Sequence, residues 1–350
     1  MRHLWVVALI SVACTSAPQA TPSPSGAPAS FGPAGRAAIA FHSDPGGRDD
    51  TYVMNARGTQ VAAVTNGMET IAQPTWSPDG SRLVVACCTS DQGHLFILDG
   101  PGAEPVELAP DTPGAVNPAW SPDGSTIAFE SLADRSLYSA DVSGPVPGTP
   151  RPLGVSGSGP SWSPDGGRIA FFAEHDRNLD IYTVAADGTG IERLTRDPAP
   201  DYSPHWSPDG RHIAFVSERD GNQEIYVMNA DGSGQVDVSN DPAPDDFPAW
   251  SPDGQLVAYV AYLDGADPHT IGDGNAEIFV VSADGTHRRD ASRNPAWDGD
   301  PAWSPDGSLI AFTRRTDHAE IHVMRSDGGG ERRLRGTRGG ANDCCPAWRP

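Results

Sequence analysis

The sequence predicts an all-β chain built from one repeated unit of four short strands. Three observations carry that reading. The pentapeptide Trp-Ser-Pro-Asp-Gly recurs along the chain, an apolar triplet follows each copy, and a proline stands two residues before every repeat tryptophan. The full copies begin at Trp76, Trp120, Trp162, Trp206, Trp250 and Trp303, and a partial copy, Trp348-Arg349-Pro350, ends the sequence. The intervals are 44, 42, 44, 44, 53 and 45 residues. A period of about 40–45 residues is that of propeller blades. The expected fold is therefore a seven-bladed β-propeller of four-stranded antiparallel blades, closed into a ring by the C-terminal strand.

Each element follows from its residues. Strand A ends at the tryptophan. Strand B is the apolar triplet: Ile39-Ala40-Phe41, Leu83-Val84-Val85, Ile127-Ala128-Phe129, Ile169-Ala170-Phe171, Ile213-Ala214-Phe215, Val257-Ala258-Tyr259 and Ile310-Ala311-Phe312. Strand C is of the type Ile225 to Met228, and strand D is short, as in Arg193-Leu194-Thr195. Short apolar segments bounded by Gly, Pro and Asp suit half-buried strands. In Ser-Pro-Asp-Gly, proline presets φ for a type I turn, Asp bonds back to the local backbone and Gly accepts the positive φ that closes the hairpin. Pro74, Pro118, Pro160, Pro204, Pro248, Pro301 and Pro346 cannot donate to a ladder, so strand A must lie at a sheet edge. In a propeller the innermost strand is such an edge. The first unit begins at strand B and lacks its own strand A. The Trp348 segment supplies one, which would protect the sheet edges and join the two ends of the chain.

The N-terminus reads as an export signal. Arg2 precedes an apolar run from Leu4 to Ala13, too short to span a bilayer, and Cys14 follows. Residues 1–13 are expected to be a signal peptide that resembles those of bacterial lipoproteins, with Cys14 lipidated after cleavage. Ser11 stands where such signals usually carry Leu, Val or Ile. Residues 14–36, rich in Ala, Pro, Ser, Thr and Gly, form the expected tether, with a reach of roughly 25 Å. The propeller occupies 37–350. The expected location is extracytoplasmic, either lipid-anchored to the membrane or envelope or secreted.

Composition narrows the partners. The formal net charge is −22, and all the basic residues are Arg. Such a chain repels phosphate backbones, which argues against nucleic acid. A monomer that meets a protein or cell-wall component, and the membrane through a lipid anchor only, is the expectation.

The repeat Pro-x-Trp-Ser-Pro-Asp-Gly, followed by Ile-Ala-Phe and by Ile-Tyr-Val-Met-Asn-Ala-Asp-Gly, resembles that of the TolB-like β-propellers, relatives of the WD-repeat propellers. The resemblance covers residues 37–350. It implies a docking platform for envelope proteins. The additional N-terminal α/β domain of TolB has no counterpart in this sequence, so a role in that envelope system is not implied. Oligogalacturonate lyases, which carry similar repeats, use a metal and histidines near the channel. That implies an alternative, a metal-assisted polysaccharide lyase or hydrolase with its site at the channel mouth.

Candidate site residues fall on the loops that vary between units. Asp201, Asp245, Asp298 and Asp343 each stand five residues before their Trp, with Asp246 and Asp300 close by. They read either as a partial carboxylate ring at the channel mouth or as local turn caps. Calcium needs several oxygens converging in one site, and a spacing of whole units does not show that. No cofactor is required, although a divalent cation such as calcium would suit the ring. The sixth unit carries an insertion within Leu263 to Glu277 that holds Asp267 and His269. His42, His175, His205 and His269 are expected near the same face, without metal-ligand spacing among them. The adjacent pairs Cys87-Cys88 and Cys344-Cys345 flank the closing strand, and a disulfide staple, a thiolate metal site and free thiols are the open readings. No nucleophile motif or phosphate loop is present, so a catalytic residue is not assigned.

Overall fold

The computed structural model describes residues 30–32, 38–45, 47–68, 70, 74–89, 92–264, 274–336 and 341–350. The signal segment, Cys14 and most of the tether lie outside the described residues, as do Asp267, His269 and the side chain of Cys88. Phe31, within the stretch read as tether, is buried edge-on against Trp76 with 4.7 Å between ring centroids.

Among the described residues the chain is all β, and its strands fall into seven groups of four. The fifth group shows the pattern. Asp201–Trp206, His212–Ser217, Glu224–Asn229 and Val236–Asp237 follow one another antiparallel, with the first at one edge of its sheet. Five groups are separate sheets. The sixth and seventh are joined into one eight-stranded sheet by a single parallel pair, Ala276 with Trp297. The first group takes its edge strand from the other end of the chain: Cys344–Trp348 pairs antiparallel with Ile39–Ser43.

The repeat motif forms one turn six times. In the second group Gly80 N–H donates to Ser77 O at 2.8 Å, Ser77 Oγ donates to Asp79 Oδ1 at 2.7 Å, and Ser81 N–H donates to the same oxygen. Gly80 takes φ +64°, in the left-handed region that glycine tolerates. The serine hydroxyl also holds Asp79 well below the usual carboxylate range, at about 2.

Packing between the groups uses the same residues each time. Phe41, Phe129, Phe171, Phe215, Tyr259 and Phe312 are fully buried on the second strand of their groups. The clusters they enter bridge neighbouring groups. Ile39, Phe41 and Met54 of the first group pack with Ala311, Ile321 and Val323 of the seventh. Trp76 of the second packs with Ala40 and Val53 of the first.

The repeat tryptophans add a directional bond. Trp120 Nε1–H donates to Thr75 O, Trp162 to Ala119 O, Trp250 to His205 O and Trp303 to Ala249 O, at 3.0–3.2 Å. Each acceptor is the residue just before the tryptophan of the preceding group. Trp76 Nε1–H donates to Ala347 O at 3.1 Å, which places the last strand in the same series.

Two substitutions separate these contributions. Deleting residues 343–350 removes the Trp348 strand and the acceptor of Trp76, and a circular-dichroism melt is expected to lose its single cooperative transition. Trp120→Phe keeps the ring and loses one N–H, so it is expected to retain cooperativity at a cost of about 1 kcal/mol.

Candidate functional site

In six of the seven groups the described edge strand carries a repeated irregularity. Three residues before the tryptophan, φ turns positive: Asn117 (50°), Gly159 (61°), Ser203 (52°), Phe247 (57°), Asp300 (53°) and Cys345 (60°). Each precedes the proline that recurs in every repeat, where sterics favour an extended residue instead. The pairing register shifts at the same place, for example between Tyr202 and His205 and between Asp246 and Ala249. A bulge of this kind re-aims one side chain and bends the strand.

The aspartates five residues before the tryptophans lie beneath this bulge, not on an open surface. Asp201, Asp245 and Asp298 have no solvent exposure and Asp343 has 6%. Arg219 Nη2 donates to both oxygens of Asp201 at 3.0 Å. Arg314 donates Nε–H and Nη2–H to Asp298 at 2.7 Å each. Ser43 Oγ donates to Asp343 at 2.5 Å. Burial pushes the carboxyls of Asp201 and Asp298 up in spite of their arginines.

A second acid from the preceding group meets this layer. In the fifth group Ser239 Oγ donates to Glu224 at 2.6 Å and accepts from Ile225 N–H at 2.8 Å. Ser292 holds Glu277 and Ile278 in the same way, and Thr65 holds Asp50 and Thr51. Asp245 faces Glu224 across the junction of the fifth and sixth groups. Among the described residues it has no ion pair, and Ser239 and Glu224 lie near enough to its carboxyl to interact with it. Burial first, and then the charge of Glu224, push its carboxyl up to about 9. Burial also raises Glu277 to about 7.

The remaining candidates are more accessible. Asp246 and Asp300 are half-buried, and Asp300 accepts from Thr313 Oγ1 at 2.8 Å. His205 is exposed and pairs with Ala214, which puts it nearer the Ser-Pro-Asp-Gly end of its strand than the loop face expected from the sequence. The protein around it desolvates the imidazole and lowers its pKa. His42 is buried opposite Cys344 and is lowered to about 4 by burial. Cys344 and Cys345 are free thiols. Two strands of eight residues, Leu256–Leu263 and Asn275–Ser282, lead into and out of the insertion of the sixth unit.

Phe247 has no counterpart among the candidates named from sequence. It is 47% exposed on its edge strand, beside Asp246. Tyr202 of the neighbouring strand lies close enough to Asp246 to feel its charge, and packs edge-on to Phe172 at 6.3 Å. Aligning the repeats on their tryptophans would have shown it, since the other described positions hold Asn, Gly, Ser, Asp or Cys.

Comparison with known proteins agrees with this geometry. Residues 153–271 match the TolB beta propeller domain family. Those residues form a TolB-like β-propeller segment. The chain is similar to a putative TolB from Agrobacterium tumefaciens, at 22% identity and a TM-score of 0.56 over 90% of this chain and 100% of that one. TolB from Acinetobacter baumannii is similar at 20% identity and 0.57, over 89% and 82%. An oligogalacturonate lyase from Vibrio parahaemolyticus is similar at 15% identity and 0.59, over 85% and 86%. No curated protein matches the chain. These likenesses show the fold of the TolB-like propeller and carry no activity with them.

The buried acids give the TolB-like propeller a pH dependence. Folded Asp245 keeps its proton up to about 9, whereas an unfolded Asp releases it near ~3.9. The folded state therefore binds the extra proton between these values. Its contribution is full below the unfolded pKa and is lost as pH rises through the folded one. Asp245→Asn is expected to match the wild-type melting temperature below about pH 4 and to exceed it by a margin that widens as pH rises toward 9. An unchanged pH slope in the variant would remove Asp245 from this account.

Proposed function

We propose that this TolB-like propeller is an extracytoplasmic binding platform that docks a protein or cell-envelope component at the inner edge of its fifth and sixth units. In this reading the seven units form one ring, closed by the pairing of Cys344–Trp348 with Ile39–Ser43, and a lipid on Cys14 holds it to the membrane. The observation that carries the docking reading is Phe247. A bulky residue with left-handed φ is a backbone outlier, and such strain persists where the surroundings over-determine it, often at binding sites. Here the strain keeps a phenyl ring 47% exposed rather than buried. An exposed aromatic beside the half-buried Asp246 suits a partner that offers an apolar side chain beside a basic one.

His205 favours the second reading, a metal-assisted lyase or hydrolase acting on a polysaccharide. Its imidazole is exposed on the edge strand, where a metal ion or a substrate proton can reach it.

Phe247→Gly distinguishes docking from packing. Glycine relieves the left-handed φ, so the melting temperature is expected to hold or rise. Cross-linked capture of the partner from native envelope is expected to fall by ~10-fold or more, the loss of an aromatic hot spot. Equal capture by both proteins would move docking away from this edge. No capture by either, together with unsaturated product from oligogalacturonate and manganese that His205→Ala abolishes, would establish the second reading.

A further inference from the structure

The docking reading leaves one cluster unused, where the two ends of the chain pair. Cys344 stands opposite His42 in register. Adjacent residues of a regular strand point to opposite faces, so Cys345 should turn away. It does not, because it occupies the bulge: φ is +60°, the register shifts between Ala40 and His42, and Cys345 N–H donates to Thr313 Oγ1 at 3.0 Å. The two sulfurs come to 2.6 Å. A ring nitrogen of His42 and both sulfurs lie within 4.8 Å of one another.

The histidine supplies an independent indication of a ligand. His42 is 5% exposed, and its Nε2 has no hydrogen-bond partner. Buried polar atoms are almost always satisfied, so an orphan imidazole nitrogen beside two thiols needs an explanation. The cysteines are only half-buried, which leaves an approach from solvent. Asp300 accepts from Cys345 and adds negative charge on that side.

We propose that His42, Cys344 and Cys345 bind one thiophilic metal ion, of the zinc(II) or copper(I) class, through one imidazole and two thiolates. Thiolate and imidazole donors select these ions over calcium or magnesium. Zinc–sulfur bonds of about 2.3 Å in a tetrahedral site hold two thiolates roughly 3.8 Å apart, so the sulfurs open by about 1 Å on binding. Each thiol releases a proton to solvent as it ligates, and no oxidation state changes. Three protein ligands leave one coordination position for water or an exogenous ligand. The ion ties Ile39–Ser43 to Cys344–Trp348, so binding stabilises the pairing of the chain ends.

The test is a titration of the full folded chain, metal-free and reduced by a non-thiol reductant under argon, with cobalt(II) as the optical probe. The expected result is one equivalent bound with a thiolate-to-cobalt charge-transfer band, displaced by zinc(II) or copper(I), whose competition against chelators identifies the preferred ion. Cys344→Ser with Cys345→Ser is expected to abolish the band, and His42→Ala to weaken binding by ~10-fold or more. Cys87→Ser is expected to leave the titration unchanged. No charge-transfer band in the wild-type chain overturns the proposal, as does a Cys344–Cys345 disulfide that reforms and excludes metal. Should the double variant fail to fold, the wild-type spectrum decides alone.

Discussion

At five of the seven repeat tryptophans the indole N–H donates to a carbonyl of the unit before it, and this is the constraint on which the order of those units depends; the indole N–H groups of Trp206 and Trp348 have no such partner among the described residues. An aromatic side chain gives broad apolar contact but little direction. The hydrogen bond supplies the direction, since it fixes where each tryptophan sits relative to the neighbouring edge strand. Its acceptor is the residue before the neighbour's own tryptophan, as in Trp162 to Ala119 and Trp120 to Thr75. That acceptor lies where tryptophan must approach closely, which explains why the residue is small in most copies. His205 still serves, because the bond from Trp250 uses its backbone oxygen and leaves the imidazole free to project.

The same junctions hold a second, polar layer, and its cost is uneven. Arg314 pairs with Asp298 through two parallel hydrogen bonds, the strong geometry for carboxylates, and Arg219 holds both oxygens of Asp201 from one nitrogen. Asp245 has a similar place and burial but no arginine, and it sits beside Glu224. Two acids in one dry site cannot both ionise cheaply, so at least one stays protonated. Across that junction Arg288 pairs with Asp241 and lies near Glu224, which leaves Asp245 as the acid without an ion pair, and the exposed Phe247 stands two residues from it.

Much of the architecture was legible in the sequence because each clue had a local mechanism. Proline marked the edge strands, glycine and aspartate marked the turns, and the apolar triplets marked the buried strand of each unit. The aspartates were harder to place. Five residues before tryptophan is an odd count, and strand alternation assigns a face from parity alone. The bulge inserts one residue between the two and exchanges the faces, so spacing could not tell a surface carboxylate from a buried one. The bulge itself had no signature of its own, since Asn117, Ser203 and Cys345 share only a place before proline.

That hidden position is also where the repeats differ in chemistry. The scaffold fixes the backbone there to the same left-handed φ whichever side chain is present, so each unit presents a different group from an equivalent point. Asn117 donates to Glu130 of its own sheet, and Asp300 accepts from Thr313. Phe247 is left in solvent, and Cys345 is swung onto Cys344. A regular strand would have pointed the last two away from their neighbours. Function in this protein can thus vary through single substitutions at one repeated bulge, while the tryptophan bonds that order the units stay untouched.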